Sequence, residues 1–322
     1  MRILYLFLTL LFSANVFAHT WDEPWHKEVV AGANSFSVFK VIKNSGETLQ
    51  LELVRHIAGE KPERKIKVDG FYLYTVASTN SESDEHGFWL DDGVTVYMHL
   101  LKQEEKYKIA TPTSGYAEIL DDGSVVATYR HSLHQAKVHP ETYEQTQICI
   151  FKQLHGENCS KAIVNKYIIE PLNERVATLS AKASAADFEL FFRQHVALET
   201  AFLIGLPIKI DVLEPFLNSR FFHTEISAVR ALVVSPESNI QTRLVSFIQN
   251  NETSDIAKIV AVMMLKELDD ENINQSIMNY LTEATDEDVF FGGSLMDPRV
   301  GTWFPRSVKA AIEWYMEDSS DK

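Results

Sequence analysis

Three histidines lie close together near the middle of the sequence: His131, His134 and His139. Neutral imidazole is the commonest side-chain ligand for zinc and copper, so this spacing indicates a candidate metal site. The pair His131 and His134 would share one face of a helix but point to opposite faces of an extended strand. The zinc-protease pattern HExxH does not occur in the sequence. A hydrogen-bonded ladder of surface histidines is therefore the alternative explanation.

His19 offers a different route to a metal site. If a leader peptide is cleaved after Ala18, His19 becomes the first residue, and its α-amino group and imidazole can chelate copper together. This chelate needs one further imidazole, for which His26, His131 and His134 are candidates. One hypothesis for the function is therefore a metal-binding protein, or a metal-dependent hydrolase, that uses His131 and His134 with zinc or copper.

The stretch that holds these histidines is polar and locally basic within an acidic protein. A turn of sequence Thr-Pro-Thr-Ser-Gly begins at Thr111, and the Asp-Asp-Gly triplet at 121–123 predicts a hairpin. Ser114 lacks the GxSxG elbow that exposes a nucleophile, so we assign no catalytic residue. The composition instead predicts a recognition surface formed by Thr111, Thr113, Ser114, Tyr116, Tyr129, Arg130, His131 and Gln135.

The start of the chain, from Met1 to Ala18, has the pattern of an export signal. A basic start that includes Arg2 precedes an apolar run at 3–12, and Val16 and Ala18 occupy the −3 and −1 positions of a cleavage site. The apolar run is too short to span a bilayer, and no later segment is long enough to do so. We therefore expect a periplasmic or extracellular protein without a membrane span.

Length and charge limit the classes of partner. Cleavage after Ala18 would shorten the chain from 322 residues to 304, enough for one large core or two ordinary ones. The formal charge of −15 becomes −16 when Arg2 leaves with the leader. Phosphate groups would repel such a chain, which argues against nucleic acid as a partner.

The two cysteines, Cys149 and Cys159, lie on either side of a Gly-Glu-Asn turn at 156–158. In an oxidising compartment, this short spacing predicts a disulfide that closes a turn between two helices. A CxxC motif, which would tune a reactive thiolate, is missing from the sequence. The disulfide is therefore expected to be structural.

Strand patterns dominate residues 29–130. Apolar and polar residues alternate over 49–57, and further strand candidates occupy 36–42, 66–74, 88–90 and 94–101. Clusters of Gly, Pro, Asn and Asp separate these segments, and no amphipathic helix interrupts them. Five or six consecutive short strands predict a small closed or nearly closed barrel.

The order of features in this half resembles the netrin-like, or TIMP-like, branch of the OB fold. The residues that carry the resemblance are Ala33, Phe36, Val38 and Val41, then Leu51, Leu53, Ile57 and Gly59, then Ile66 and Val68, and finally Phe88, Gly93, Val96, Tyr97 and Leu101. The resemblance implies an OB-like barrel. The family's disulfide cysteines are missing from this half, and His19 stands where TIMPs carry the amino-terminal Cys that chelates a protease zinc. Protease inhibition is therefore not implied.

The second half has helical periodicity, with helices expected at 141–154, 160–169, 172–180, 185–205 and 307–316. A repeated unit follows the fourth of these helices: the Leu-x-x-Phe pattern at Leu213 recurs at Leu244 and, as Ile-x-x-Tyr, at Ile277. The three copies are almost evenly spaced along the chain, and the pattern resembles short HEAT or armadillo repeats. Such a resemblance implies stacked helix pairs with a groove for peptides.

The sequence as a whole predicts a β domain followed by an α domain. We place the OB-like barrel at 19–135 and the HEAT-like helical domain at 140–322, after a leader at 1–18. Two scaffolds that bind ligands, with no coherent set of catalytic residues, favour a binding protein over an enzyme. The expected partner is a protein or peptide, recognised by the barrel face and the helical groove.

Overall fold

The computed structural model describes residues 23–45, 48–69, 90–111, 113–268, 274–290 and 302–319 of the chain. Apart from one short helix, strands occupy the first part, up to residue 138, and helices occupy the second, from residue 140. The predicted order of β and then α is confirmed. The predicted leader and His19 lie outside the described residues, as do Phe88 and the end of the strand predicted at 66–74.

Five strands close into a barrel: β1 (Ser35–Asn44), β2 (Thr48–Gly59), β3 (Lys65–Asp69), β4 (Thr95–Gln103) and β5 (Lys106–Lys108). Their order is β1-β2-β3-β5-β4, and β4 returns to pair with β1. The contact between β3 and β5 is parallel, whereas the other pairings are antiparallel. Closure removes the unpaired edges that an open sheet would expose. A short sixth strand, β6 (Tyr116–Glu118), pairs with β4 on the outside of this ring.

Strand β4 shows how the sequence builds the barrel. Val96, Met98 and Leu100 belong to the apolar cluster that fills the interior. Tyr97 and His99 alternate with them and stack on Phe36, on the outer side of the barrel. Because side chains alternate across a strand, a strand buried on both faces reads as a nearly continuous apolar run.

Strand β2 ends at Gly59, one of the residues that carry the resemblance to the OB fold. Gly59 has a φ of +76°, and a Cβ atom at this position would lie 2.2 Å from the carbonyl oxygen of Asn34. The next residue, Glu60, donates its backbone N–H to the same oxygen at 2.8 Å. The close approach of two backbones and the positive φ both require glycine here.

A second, two-stranded sheet lies between the barrel and the helices. It consists of β7 (Val125–Thr128) and β8 (Gln135–Val138), which pair antiparallel. The predicted hairpin at 121–123 is present, because Ile119 pairs with Val125 across it. Residues 129–134 connect β7 to β8, and we call them the junction loop. This loop contains Arg130, His131 and His134.

The helices are α1 (His26–Gly32), α2 (Pro140–Leu154), α3 (Lys161–Val164), α4 (Glu170–Leu172), α5 (Ala185–Leu203), α6 (Ile210–Leu217), α7 (Phe222–Leu232), α8 (Ile240–Gln249), α9 (Asp255–Leu268), α10 (Asn274–Tyr280) and α11 (Val308–Ser319). A π-helical stretch, Asn165–Ile169, joins α3 to α4. The predicted disulfide between Cys149 and Cys159 is present, and it links α2 to the segment before α3.

The helix predicted over 172–180 is wrong beyond Leu172. Residues 173–184 contain no helix and run beside α5. The side chain of Gln194 on α5 accepts the N–H of Ala177 at 2.9 Å and donates to the carbonyl oxygen of Arg175 at 2.8 Å. These contacts satisfy backbone groups that a helix would otherwise pair with each other.

The later helices form two sets. Helices α5, α7, α9 and α11 pack each against the next, while α6, α8 and α10 pack against α7, α9 and α11 respectively. A single cluster of buried apolar residues extends from Phe36 on the barrel through Ala127 on β7 to Ile312 on α11. Within the described residues, no helix is long and apolar enough to cross a membrane.

A candidate binding site at the junction of barrel and helices

Arg130 lies at the centre of the junction and has no exposed surface. Its Nε atom is 3.1 Å from Oε1 of Glu199 on α5. Its Nη2 group donates to Nδ1 of His195 at 3.3 Å and to Oγ of Ser227 at 3.4 Å. A residue of the β-rich part is therefore held by side chains of two helices. Arg130, which the sequence places in a recognition surface, is buried, and Glu199 supplies its counter-charge.

Glu199 holds a second guanidinium group. Nε of Arg230, on α7, lies 2.8 Å from Oε2 of Glu199. Ser227 donates its hydroxyl to the other carboxylate oxygen at 2.8 Å. We call Arg130, Glu199 and Arg230 the arginine–glutamate network. It contains two cations and one anion, so it has a net charge of +1 in the interior of the protein.

The members of this network are charged at neutral pH. Burial opposes ionisation of Glu199, but the charges of Arg230 and Arg130 outweigh burial and hold the pKa of Glu199 below its ordinary value. Burial lowers the pKa of Arg130 to about 10, which still leaves the guanidinium protonated. The network is therefore ionic rather than a set of neutral hydrogen bonds.

The histidines around the network are neutral. Burial, followed by the charge of Arg130, lowers the pKa of His195 to about 3 and the pKa of His223 to about 4. The same two causes lower the pKa of His134. Nδ1 of His195 lies 3.3 Å from Nη2 of Arg130 and 3.1 Å from Oγ of Ser227, whereas Nε2 has no hydrogen-bond partner among the described residues.

A first cavity, of about 480 Å³, opens beside the junction loop, and we call it the histidine cavity. The rings of His134 and His223 meet there edge to face, with their centroids 5.0 Å apart. Most of the remaining wall is apolar. The lining consists of Leu133, His134, Phe222, His223, Asp255, Ile256, Val289 and Phe290.

A second cavity, of about 490 Å³, lies between α1 and the helices, and we call it the tryptophan groove. The guanidinium group of Arg230 stacks 4.1 Å from the ring centroid of Phe202 and 5.2 Å from that of Trp25. Nζ of Lys266 lies 3.7 Å above the ring of Trp314. The lining consists of Trp25, Lys27, Glu28, Ala31, Phe202, Arg230, Val260, Met263, Met264, Lys266, Glu267 and Trp314.

Most residues of the predicted recognition surface are buried. Thr111 and Thr113 donate their hydroxyls to the carboxylate of Glu23, and Ser114 hydrogen-bonds to Thr111. Tyr129 is fully buried and its hydroxyl lies 2.6 Å from Oγ1 of Thr146. Gln135 is exposed on β8 and Tyr116 is partly exposed on β6. These residues do not form one exposed surface, and their role in binding stays a prediction.

Of the predicted metal ligands, His131 and His134 lie near each other, with their ring centroids 6.3 Å apart, whereas His139 lies elsewhere. Nδ1 of His131 accepts from the N–H of Leu133, and Nε2 lies 2.9 Å from Oγ1 of Thr302. His134 lines the histidine cavity, whereas His139 is exposed and caps α2. In the part of the chain that the structure describes, no three His, Cys, Asp or Glu side chains are arranged to hold a metal. The metal hypothesis, which includes His19, stays a prediction.

Sequence reasoning missed Glu199, Arg230 and both tryptophans of the groove. A signal for the first two exists, because each is a charged residue within the apolar stripe of a helix, between buried neighbours such as Leu198 and Ala231. A buried charge in such a position requires a partner of opposite charge. The sequence does not show which residue is that partner.

Comparison of the chain with protein-family models, with curated proteins and with solved structures gives no significant match. The function is therefore inferred from the geometry of the junction and its two cavities.

Proposed function

We propose that the chain is an exported binding protein that recognises a peptide, or an extended segment of a protein, in the tryptophan groove. The observation that carries this proposal is the lining of the groove. Two tryptophans, Phe202, Met263 and Met264 supply a wide apolar and adaptable surface, and charged side chains surround it. Aromatic residues and methionine are the side chains that binding surfaces favour.

The chemistry of the groove supports binding rather than catalysis. None of its described lining residues is Ser, Thr, Cys or His, so the groove lacks a nucleophile paired with a histidine base. The lining comes from α1, which precedes the barrel, and from four later helices: α5, α7, α9 and α11. A ligand in the groove would therefore contact both parts of the chain at once.

We also propose that the barrel is OB-like and that the helices form HEAT-like repeats. The closed order β1-β2-β3-β5-β4, with its parallel pairing of β3 and β5, supports an OB-like barrel, of which the TIMP-like branch is one form. The alternating contacts of the helices from α5 to α11 support HEAT-like repeats. The leader pattern at 1–18 and the disulfide between Cys149 and Cys159 support export to an oxidising compartment.

The proposal is tested by selecting peptides from a random displayed library on the purified, oxidised protein. The selected peptides are resynthesised, and their dissociation constants are measured for the wild type and for Trp314→Ala. We expect at least a tenfold loss of affinity in the variant, because aromatic anchors carry much of the energy of such interfaces, about 2 kcal/mol or more each.

Phe188→Ala provides the matched control. Phe188 is 44 % exposed, lies on α5 and does not line the groove, so its removal is expected to leave affinity unchanged. Peptides that bind both variants as well as the wild type would show that recognition occurs elsewhere, and the proposal would then be wrong.

A further inference from the structure

The arginine–glutamate network has two guanidinium groups and one carboxylate, so one positive charge is not balanced within it. Glu199 is shared between Arg130 and Arg230; the side chain of Arg230 is 5 % exposed and the other two are fully buried. Nη1 of Arg130 has no hydrogen-bond partner among the described residues. A buried charge without full compensation is costly, so proteins pair such charges or neutralise them. This network therefore favours the approach of an anion.

Of the three residues of the network, Arg230 lines a cavity, the tryptophan groove. Nε of Arg230 donates to Glu199. Among the described residues, this is the one hydrogen bond that the guanidinium group of Arg230 makes. The group itself lines the tryptophan groove and lies against Phe202 and Trp25. Aromatic faces hold a guanidinium in place without using its N–H groups, so the remaining donors stay available to a ligand.

Two further cations surround the same groove. Nζ of Lys266 lies over Trp314, and Nζ of Lys27 lies 5.8 Å from the ring centroid of Phe202. Of the two acidic side chains in the lining, Glu28 accepts the N–H of Trp25 at the start of α1. The lining thus has three cations and two carboxylates, in a chain whose formal charge is −15. Among the described residues, the lining of the groove therefore carries one more positive charge than negative charges.

We infer that the tryptophan groove takes an acidic peptide segment, whose carboxylate binds Arg230. An apolar side chain of the same segment packs on Trp25, Trp314 and Met263. The inference rests on the proposed function and names the chemical class of its ligand. A carboxylate matches the planar donors of a guanidinium group, and the salt bridge is strengthened where the surrounding wall is apolar.

The carboxylate has two possible sources, an acidic side chain or the free carboxyl terminus of the segment. The selected peptides are therefore resynthesised in matched forms. The first pair compares the selected peptide with a form in which each Glu or Asp is replaced by Gln or Asn. The second pair compares a free carboxyl terminus with an amidated one. Dissociation constants are measured by isothermal titration calorimetry on the wild-type protein. The form that loses affinity identifies the source.

We expect removal of the relevant carboxylate to weaken binding by about tenfold or more, as for other charge-assisted hydrogen bonds. The variant Lys27→Gln with Lys266→Gln leaves the arginine–glutamate network in place. In this variant the ratio of affinities between the charged and neutral peptides is expected to fall by at least threefold. Lys182→Gln, at an exposed lysine outside the groove, is the control and should leave the ratio unchanged.

Selected peptides that contain no carboxylate, or matched forms that bind equally well, overturn this inference and leave the proposed function standing. Peptides whose binding does not depend on Trp314 overturn both. A ratio that falls equally in Lys182→Gln would show a long-range effect of net charge, and it would also overturn the inference.

Discussion

Glu199 is the one negative charge between two guanidinium groups in the interior. Replacement by Gln keeps the shape of the side chain and removes the charge, which leaves Arg130 and Arg230 without a counter-ion. We predict that Glu199→Gln lowers the free energy of unfolding by about 3–5 kcal/mol, the cost of breaking a buried ion pair. Urea denaturation at pH 7 measures the change.

Glu214→Gln is the matched control, because Glu214 pairs with Arg243 at 3.5 Å on the surface. Exposed ion pairs contribute less than about 1 kcal/mol, so this variant should be nearly as stable as the wild type. If both variants lose the same small amount, the network makes no special contribution to stability.

The buried histidines predict a pH dependence. Burial lowers the pKa of His26 to about 4 in the folded protein, against about 6.5 for a solvated histidine. As the pH falls below 6.5, the unfolded chain binds the proton first, so stability is lost between pH 6.5 and pH 4. The slope from His26 is about 1 kcal/mol per pH unit. His223, with a pKa of about 4, acts in the same direction.

We therefore expect His26→Gln to make stability less sensitive to pH over this range, as followed by urea denaturation between pH 7 and pH 4.5. His139→Asn is the comparison, because His139 is exposed and Asn preserves the cap of α2. An unchanged slope in His26→Gln would mean that His26 does not stay neutral in the folded protein.

For individual residues, the sequence identified Arg130, Thr111 and Thr113 but not the partners that bury them. Arg130 stands out as a basic residue between two aromatic ones, yet its burial depends on Glu199, which lies far away in the chain. An isolated arginine is normally exposed, and only a buried partner changes that expectation. The same holds for Thr111 and Thr113, whose partner is Glu23.

Among the structural elements, the disulfide between Cys149 and Cys159 permits a direct test. It closes a loop with a sequence separation of 10. Loss of the crosslink frees the unfolded chain, which costs about 3 kcal/mol for a loop of this length. We predict that Cys149→Ala with Cys159→Ala lowers the free energy of unfolding by about that amount. A reducing agent should destabilise the wild type and leave the double variant unaffected.

Elements with local signals could be predicted from the sequence. Helix α2 begins with Pro140, and α5 begins with a capping box between Ser184 and Asp187, so both follow sequence rules. The non-helical course of residues 173–183 could not be predicted in this way, because it involves backbone groups of Arg175 and Ala177 that bind the side chain of Gln194 on another helix. A contact of that kind depends on the tertiary structure.

At the scale of the molecule, the apolar cluster that joins the barrel to the helices predicts cooperative unfolding. Phe36, Ala127 and Ile312 belong to one continuous core, although they lie in the barrel, the hairpin and the last helix. We predict a single thermal transition in which the calorimetric and van't Hoff enthalpies agree. Two separate transitions would instead support independent domains at 19–135 and 140–322.

The order of the barrel and the helices could be predicted because it follows from the change in periodicity after Pro140. The tryptophan groove could not, because Trp25, Phe202 and Trp314 come from distant parts of the chain. Their neighbours in sequence show no shared pattern. Only the folded structure brings them together, with the guanidinium group of Arg230 over the rings of both Trp25 and Phe202.

The arginine–glutamate network also leads to an expectation about the kinetics of folding. Arg130 lies in the junction loop, whereas Glu199 and Arg230 come much later in the chain, on α5 and α7. We expect the three ions to lose their water and meet only after these helices have formed, because Glu199 and Arg230 lie on them. The network is therefore expected to close after the main barrier to folding. If so, its loss accelerates unfolding far more than it slows folding, and the network determines how long the native protein persists once it is made.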